Sequence, residues 1–391
     1  MTEMFRVLFV SDHFEPSIGG GSTYNAELTR RIAERGHTVH IVTPRSRDSP
    51  RTEAREGVSI TRLGSEDSMG RAAFATLSTA FVTRILHSYD IVHGETFVAA
   101  VPSGIAGRIC NRPSMLTVYE VFAEQWRDYL PDRKVLARLY RLGERTTLRL
   151  DHDRYIAISD YTARRLEQQG VDRKLITMVH PGVDYNFWNR SAANPEKFRE
   201  VNALGEGPVY SSFGRAGISK GFGYLLEAAR LVFAQKPDSR LFLVLNEGDQ
   251  FHALERMIFD SKDLRKHVVL KSRLPRTELR DAIAGSDLVA VPSLSEGFGF
   301  VVAETCAMGT PIVATNVGAI PEVVSGRHRL VSPADPVALA TAILGGLDGQ
   351  LHQTPIRKFS WAETTDQYER LFRHVTMQAT ADIGRHESWR I

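Results

Sequence analysis

Cysteine is scarce. The 391-residue sequence contains two, Cys110 and Cys306, far apart in the chain. That argues against a disulfide framework and leaves too few thiols for a zinc site. Two buried small hydrophobes in a reducing cytoplasm are the expectation. Long apolar runs are also missing, and none reaches the length needed to span a bilayer. Met1-Thr-Glu-Met-Phe-Arg leads straight into the strand-like Val7–Val10, which reads as no signal peptide. Neither sign of charge dominates: 49 Lys and Arg against 46 Asp and Glu leave a net +3. Such a balance does not call for nucleic acid, although it suits an anionic small ligand. There is no internal repeat and no low-complexity tract. The expected location is cytoplasmic, for a soluble or loosely peripheral protein.

What is present is ordinary globular composition, 42% hydrophobic and 24% charged, in a chain too long for one typical core. Short apolar runs alternate with helical patterns. Val7–Val10, Thr38–Thr43, Ile91–Val92, Met115–Val118 and Tyr155–Ile158 read as strands, with a helix pattern over Glu27–Arg35. The alternation restarts with Val209–Phe213, Leu241–Leu245, Val268–Leu270, Leu288–Val291 and Ile312–Ala314. Strands alternating with helices indicate parallel sheets, so the expected class is α/β with two doubly wound, Rossmann-like domains. The seam is expected between about Phe187 and Pro208, where Asn, Ala, Pro and Glu replace the apolar periodicity. Ligands of such sheets bind at the carboxyl ends of strands, so a cleft faced by both domains is the default active site.

Three glycine-bearing turns carry the chemistry. In Ser293-Leu-Ser-Glu-Gly-Phe-Gly-Phe-Val-Val-Ala-Glu304, a tight Gly297-Phe-Gly299 turn follows a strand and precedes a short helix over Phe300–Met308. Free amides and the positive dipole end of that helix suit a phosphate. Glu304 lies about one turn in, and helical side chains tilt back toward the N-terminus, so it reaches the turn that Glu296 borders. A phosphate flanked by two hydroxyl-rich rings would use all three elements; the plainer alternative is a cap residue plus an exposed glutamate. In Phe213-Gly-Arg-Ala-Gly-Ile-Ser-Lys-Gly221, Arg215 offers a planar fork and Lys220 a mobile charge on a strand-to-helix turn, which suits a diphosphate. Walker A spacing is absent. The third turn, Ser17-Ile-Gly-Gly-Gly-Ser22, fails the dinucleotide fingerprint because Tyr24 occupies the third glycine position. It reads as a flexible loop that lets backbone approach a ligand.

Two further stretches read more than one way. Asp151-His-Asp153 precedes a strand instead of following one, so it reads as loop and strand-start chemistry, not as a metal motif. Helix 131–150 carries Lys134, Arg138, Arg141, Arg145 and Arg149 at helical spacing, with Leu136, Leu139, Leu142 and Leu150 elsewhere around it. That pattern fits a solvated face or weak peripheral contact with an anionic membrane surface or acceptor.

Taken in order, these pieces resemble the retaining nucleotide-sugar glycosyltransferases of glycosyltransferase family 4 (glycosyl transferases group 1), with the GT-B fold. Glu296 and Glu304 match the family's Glu-x7-Glu signature, and Gly214-Arg215 with Lys220-Gly221 its diphosphate loop. Ala157-Ile-Ser-Asp-Tyr161, Pro181-Gly-Val-Asp184, Gly309-Thr-Pro-Ile-Val313, Ile320-Pro-Glu322 and Phe359-Ser-Trp361 match flanking segments. The resemblance implies an acceptor-binding domain over 1–190 and a nucleotide-sugar-binding domain over 205–369. The C-terminal helix, about 370–391, would pack back on the first.

The resemblance also implies roles. Arg215 and Lys220 would neutralise the donor diphosphate as charge develops on the leaving group. Glu304 would bind the ribose hydroxyls and Glu296 those of the transferred sugar. Amides around Phe298, Gly299, Phe300 and Val301 would bind sugar and phosphate. The Lys271–Leu274 turn, with Arg273 and Leu274, would read the base, and Gly20 and Gly21 would approach phosphate and acceptor. The expected activity is hexosyl transfer from a UDP- or GDP-sugar to a small-molecule, lipid or glycan acceptor. Front-face attack with retention is expected, without metal or other cofactor. One departure stands out in Leu116-Thr-Val-Tyr-Glu120: Tyr119 replaces a frequent family histidine. A phenol can donate a hydrogen bond but is a poor base near neutral pH. Glu95, Glu120 and Trp126 are acceptor-side candidates or, alternatively, scaffold. A GT-B epimerase, a phosphorylase-like enzyme and a catalytically silent sugar-nucleotide-binding protein are the rival readings.

Overall fold

The structure is a computed structural model and describes residues 3–17, 19–46, 49–65, 68–130 and 133–387. It divides into two compact units, the described residues of 1–182 with 360–391 and those of 183–359. The 187–208 segment thus lies wholly within the second unit. Met1, Thr2, Ile18, Pro131, Asp132 and the last residues of the expected C-terminal helix lie outside the described residues.

The first unit is built on β1 (Arg6–Val10), β2 (Thr38–Pro44), β3 (Thr52–Arg55), β4 (Val58–Leu63), β5 (Ile91–Glu95), β6 (Ser114–Val118), β7 (Arg154–Ala157) and β8 (Ile176–Met178). Their order is β3-β4-β2-β1-β5-β6-β7-β8, parallel except for the β3–β4 pair. β5 and β6 are buried at every position, as expected of central parallel strands covered on both faces. Helix Trp361–Glu387 belongs to this unit. Its Tyr368 hydroxyl meets Tyr24 Oη at 2.7 Å and Thr117 Oγ1 at 2.6 Å, inside the core.

The second unit carries β9 (Val209–Arg215), β10 (Arg240–Asn246), β11 (Val268–Lys271), β12 (Leu288–Val291), β13 (Ile312–Thr315), β14 (Arg327–Val331) and β15 (His352–Gln353), ordered β11-β10-β9-β12-β13-β14-β15. Helix Phe222–Gln235 buries Phe222, Leu225, Leu226, Ala229, Val232 and Phe233. That spacing lays one apolar stripe on the sheet. Here it meets Leu241, Leu243 and Leu245 of β10.

β3, β4, β8, β14 and β15 have no counterpart among the expected strands. β3 reads Thr-Glu-Ala-Arg and β15 is two exposed residues. Both lie at sheet edges, where polar residues are tolerated and period-2 alternation fades.

In each sheet the strand order reverses once beside the first strand. β1 lies between β2 and β5, and β9 between β10 and β12. Such switch points open a crevice at the carboxyl ends of the two flanking strands. Every residue singled out around Arg215, Lys220 and Glu296 follows β9 or β12. Those around Glu95 and Tyr119 follow β1, β5 or β6.

Candidate active site

At the second unit's switch point, the β9 and β12 loops are tied together. The amides of Leu294 and Ser295 both donate to Ser219 O, at 2.7 and 3.3 Å. Gly221 has φ +65, and a Cβ there would stand 2.1 Å from Pro292 O. Both its conformation and its space therefore require glycine. This close approach brings Lys220 Nζ to 2.6 Å from Glu296 Oε2. Ser293 Oγ donates to the same oxygen at 3.3 Å. Glu296 is further fixed through its backbone, since Ala319 N donates to Glu296 O at 2.9 Å. Arg215, at the end of β9, is exposed and has no ion-pair partner among the described residues.

Gly299 caps helix Phe300–Ala307. The first intrahelical bond runs from Ala303 N to Gly299 O, so the amides of Phe300, Val301 and Val302 have no acceptor within the helix. Phe298 is turned inward, packing its ring against Phe300 and Phe359 at 5.3 and 5.1 Å. Its side chain is core, and only its backbone faces the turn.

Glu304 lies on the same helix, 8% exposed. No hydrogen bond reaches its carboxylate from the described residues. Burial pushes its pKa up to about 8, against the pull of the Arg276 charge. Arg276 opens helix Arg276–Gly285 and lies over the rings of Phe187 and Trp188, 4.5 and 5.7 Å from their centroids. Arg273 in the preceding turn is exposed and Leu274 partly so.

At the first unit's switch point, Glu95 ends β5 and is buried. Its Oε1 accepts from Ser11 Oγ at 2.8 Å and from the amides of Asp12 and His13 at 2.6 and 3.3 Å. Its Oε2 accepts from Asn25 Nδ2 and from the Tyr119 hydroxyl. Burial, and after it the Asp12 charge, pushes the Glu95 pKa up to about 7 despite those donors. The Tyr119 phenol is held well above its ordinary pKa by burial and then by the Glu95 charge. Tyr119 Oη also lies 2.8 Å from Asn25 Oδ1. A phenol has one hydrogen to donate. It can satisfy only one of these two acceptors, unless Glu95 carries a proton and donates back. The Tyr119 proton thus points into its own network.

Gly20 and Gly21 are not loop. Helix Gly20–Glu34 begins at Gly20, with Gly19 as its cap. At Gly21 the Tyr119 ring covers the helix's first turn, where a Cβ would meet it at 3.3 Å. Trp126 belongs to an aromatic group with Phe97, Phe122 and Tyr140. Its indole N–H donates to the buried Glu144 at 3.1 Å. Glu120 is partly exposed. Asp151-His-Asp153 braces the start of β6: Asp153 accepts from Ser114 N at 2.8 Å and His152 Nδ1 meets Ser114 Oγ at 2.6 Å. Among the described residues, no group of three His, Cys, Asp or Glu is placed to hold a metal ion.

The sequence profile described as Glycosyltransferase Family 4 matches residues 18–187, and that described as Glycosyl transferases group 1 matches residues 207–348. Together they cover β2 to β8 of the first sheet and β9 to β14 of the second. The chain belongs to the family-4, group-1 glycosyltransferases. Curated relatives agree over nearly full length. The D-inositol 3-phosphate glycosyltransferase of Thermobispora bispora is 27% identical, covering 96% of this chain and 98% of its own. The mannosylfructose-phosphate synthase of Agrobacterium fabrum is 26% identical, covering 85% of this chain and 80% of its own. Among solved structures, Anabaena HepE in complex with UDP-glucose superposes with a TM-score of 0.70 at 19% identity, covering 97% of this chain and all of its own. At that identity the likeness shows the fold, which is GT-B.

In this glycosyltransferase, residues without a motif surround the signature positions. Ser11, Asp12 and Asn25 build the Glu95 network, and Arg276 sets the field at Glu304. Asn25 lies one turn beyond the glycines at a helical position, a signal that could have suggested it. Arg276 had no sequence signal, since its link to Glu304 exists only through the turn after β11.

Proposed function

We propose that the protein transfers a hexosyl group from a nucleoside-diphosphate sugar, with retention at the anomeric carbon. The observation that carries this reading is the Lys220–Glu296 pair at 2.6 Å beside the free amides of the Gly299-capped helix. A cation, a row of N–H donors and a carboxylate converge on one turn, and Arg215, without an ion-pair partner among the described residues, stands at the neighbouring strand end. In this reading Arg215 and Lys220 take the diphosphate, so they stabilise charge on the departing phosphate. Glu296 receives hydroxyls of the transferred sugar on the other side of Lys220. Glu304 receives the ribose hydroxyls, which would supply the donors its carboxylate otherwise lacks. Neither glutamate acts as a proton-transfer base. The donor phosphate oxygen takes the proton of the attacking acceptor hydroxyl as the glycosidic bond breaks on the same face.

The acceptor is assigned to the first unit, at the Glu95–Tyr119 switch point. Small phosphorylated polyols and sugars, of the kind in the relatives' names, are the first to test. UDP is the first base to test, because HepE is solved with UDP-glucose. The experiment is thermal-shift screening with UDP, GDP, ADP and dTDP, since a ligand that binds the native state raises its stability by mass action. One diphosphate is expected to stabilise the parent by about 2.7 kcal/mol at a hundredfold excess over its Kd. Arg215→Ala with Lys220→Ala is expected to lose that shift. Equal shifts in both proteins would remove the diphosphate assignment.

A further inference from the structure

A surface helix ordinarily turns its apolar stripe to the core. Helix Lys134–Thr147 does the reverse. Its buried residues are Ala137 and Glu144. Val135, Leu139 and Leu142 share the opposite side at helical spacing and are 71%, 58% and 62% exposed. Beside that stripe runs a basic row, Lys134, Arg138 and Arg145, in which no residue has an ion-pair partner among the described residues. Arg141, on the row's inner edge, is tied to Glu124 at 2.7 Å.

The inward side is firmly held. The Glu144 carboxylate accepts from Phe122 N at 2.8 Å, Ala123 N at 2.6 Å and Trp126 Nε1 at 3.1 Å. The Tyr140 ring packs on Trp126 at 5.0 Å. The stripe therefore cannot rotate inward without breaking this anchor. An apolar ridge edged by unpaired cations is the arrangement of a helix lying in a lipid–water interface.

We infer that this helix docks the first unit on an anionic lipid bilayer. Val135, Leu139 and Leu142 enter the headgroup boundary, and Lys134, Arg138 and Arg145 meet the lipid phosphates. Charge complementarity selects this occupant over a second copy of the chain. The helix's one acid, Glu144, is buried beneath it, so a facing copy of the helix would offer its basic row no counter-charge. The docking goes beyond the transferase reading and does not depend on it.

Flotation of the whole protein with lipid vesicles tests it. The parent should float with phosphatidylcholine vesicles containing about one-third phosphatidylglycerol, remain behind with pure phosphatidylcholine, and be released as salt shortens the screening length. Leu139→Gln with Leu142→Gln should reduce the bound fraction at least tenfold. Arg138→Glu with Arg145→Glu should cut it by more, at about fivefold for each cation removed. Both variants should keep the parent's helical circular dichroism and melting temperature. Equal binding to neutral and anionic vesicles would overturn the inference, as would unchanged binding in both variants. A salt-insensitive dimer abolished by Leu139→Gln with Leu142→Gln, without vesicle binding, would assign the face to self-association instead. The comparison of vesicles and salt on the parent alone decides the matter should either variant fail to fold.

Discussion

Glu304→Gln should stabilise the ligand-free protein and weaken its hold on a nucleotide. The carboxyl is buried, and its pKa stands at about 8 against an ordinary 4.5. A raised acid binds more protons folded than unfolded, so its contribution to stability falls as pH rises through that window. Between about pH 5 and pH 8 the linkage integral amounts to roughly 3–4 kcal/mol lost to ionising this one group. Glutamine has the same shape and does not ionise, so the variant escapes that loss. In a unit of this size the gain corresponds to a Tm higher by roughly 6–16 °C at pH 8. At pH 5, where the native carboxyl is protonated, parent and variant should melt within a degree or two of each other. Glu95, with its pKa at about 7, tilts the stability curve in the same direction but cancels in the difference between the two proteins. The assay is differential scanning fluorimetry across that pH range, with and without nucleoside diphosphate. A Tm difference independent of pH would refute the electrostatic argument. An undiminished nucleotide shift in the variant would refute the ribose assignment.

Two further outcomes follow from the same geometry. Tyr119→Phe removes a donor from Glu95 Oε2 and should cost about 1–3 kcal/mol of stability. It should lower turnover while leaving nucleotide affinity intact, and unchanged steady-state turnover would take Tyr119 out of the mechanism. Gly221→Ala sets a Cβ against Pro292 O at a left-handed position. It should cost at least about 1–3 kcal/mol and displace Lys220, so a variant with parental Tm and parental diphosphate binding would contradict the tie between the two loops.

The repeated alternation of buried strands and amphipathic helices was readable because parallel sheets demand continuous apolar runs, as in Leu241–Leu245 and Leu288–Val291. Edge strands such as Thr52–Arg55 were not, because one side of each is solvated and its composition is that of a loop. The signature glutamates and the Arg215–Lys220 loop stood out because their spacing is local. The Glu95 network has hydrogen bonds between residues as much as 94 positions apart, and no local pattern encodes such a meeting. Gly20 and Gly21 misled because glycine suggests a loop, whereas both lie in the first turn of a helix, where the small size of Gly21 leaves room for the Tyr119 ring. The basic helix was visible in outline. Only its burial pattern revealed that the apolar side faces outward.

The central claim is that the Arg215–Lys220–Glu296 turn activates a nucleotide sugar for transfer. Phosphorus and proton NMR of the protein with UDP-glucose or another nucleotide hexose, plus D-inositol 3-phosphate or a sugar phosphate, tests it most directly. The expected result is release of nucleoside diphosphate together with a glycoside of the donor's own anomeric configuration. Both should be lost in Arg215→Ala with Lys220→Ala. An inverted product would contradict the retaining mechanism. Undiminished turnover in the double variant, or conversion of the donor to an epimer without a transfer product, would contradict the claim itself.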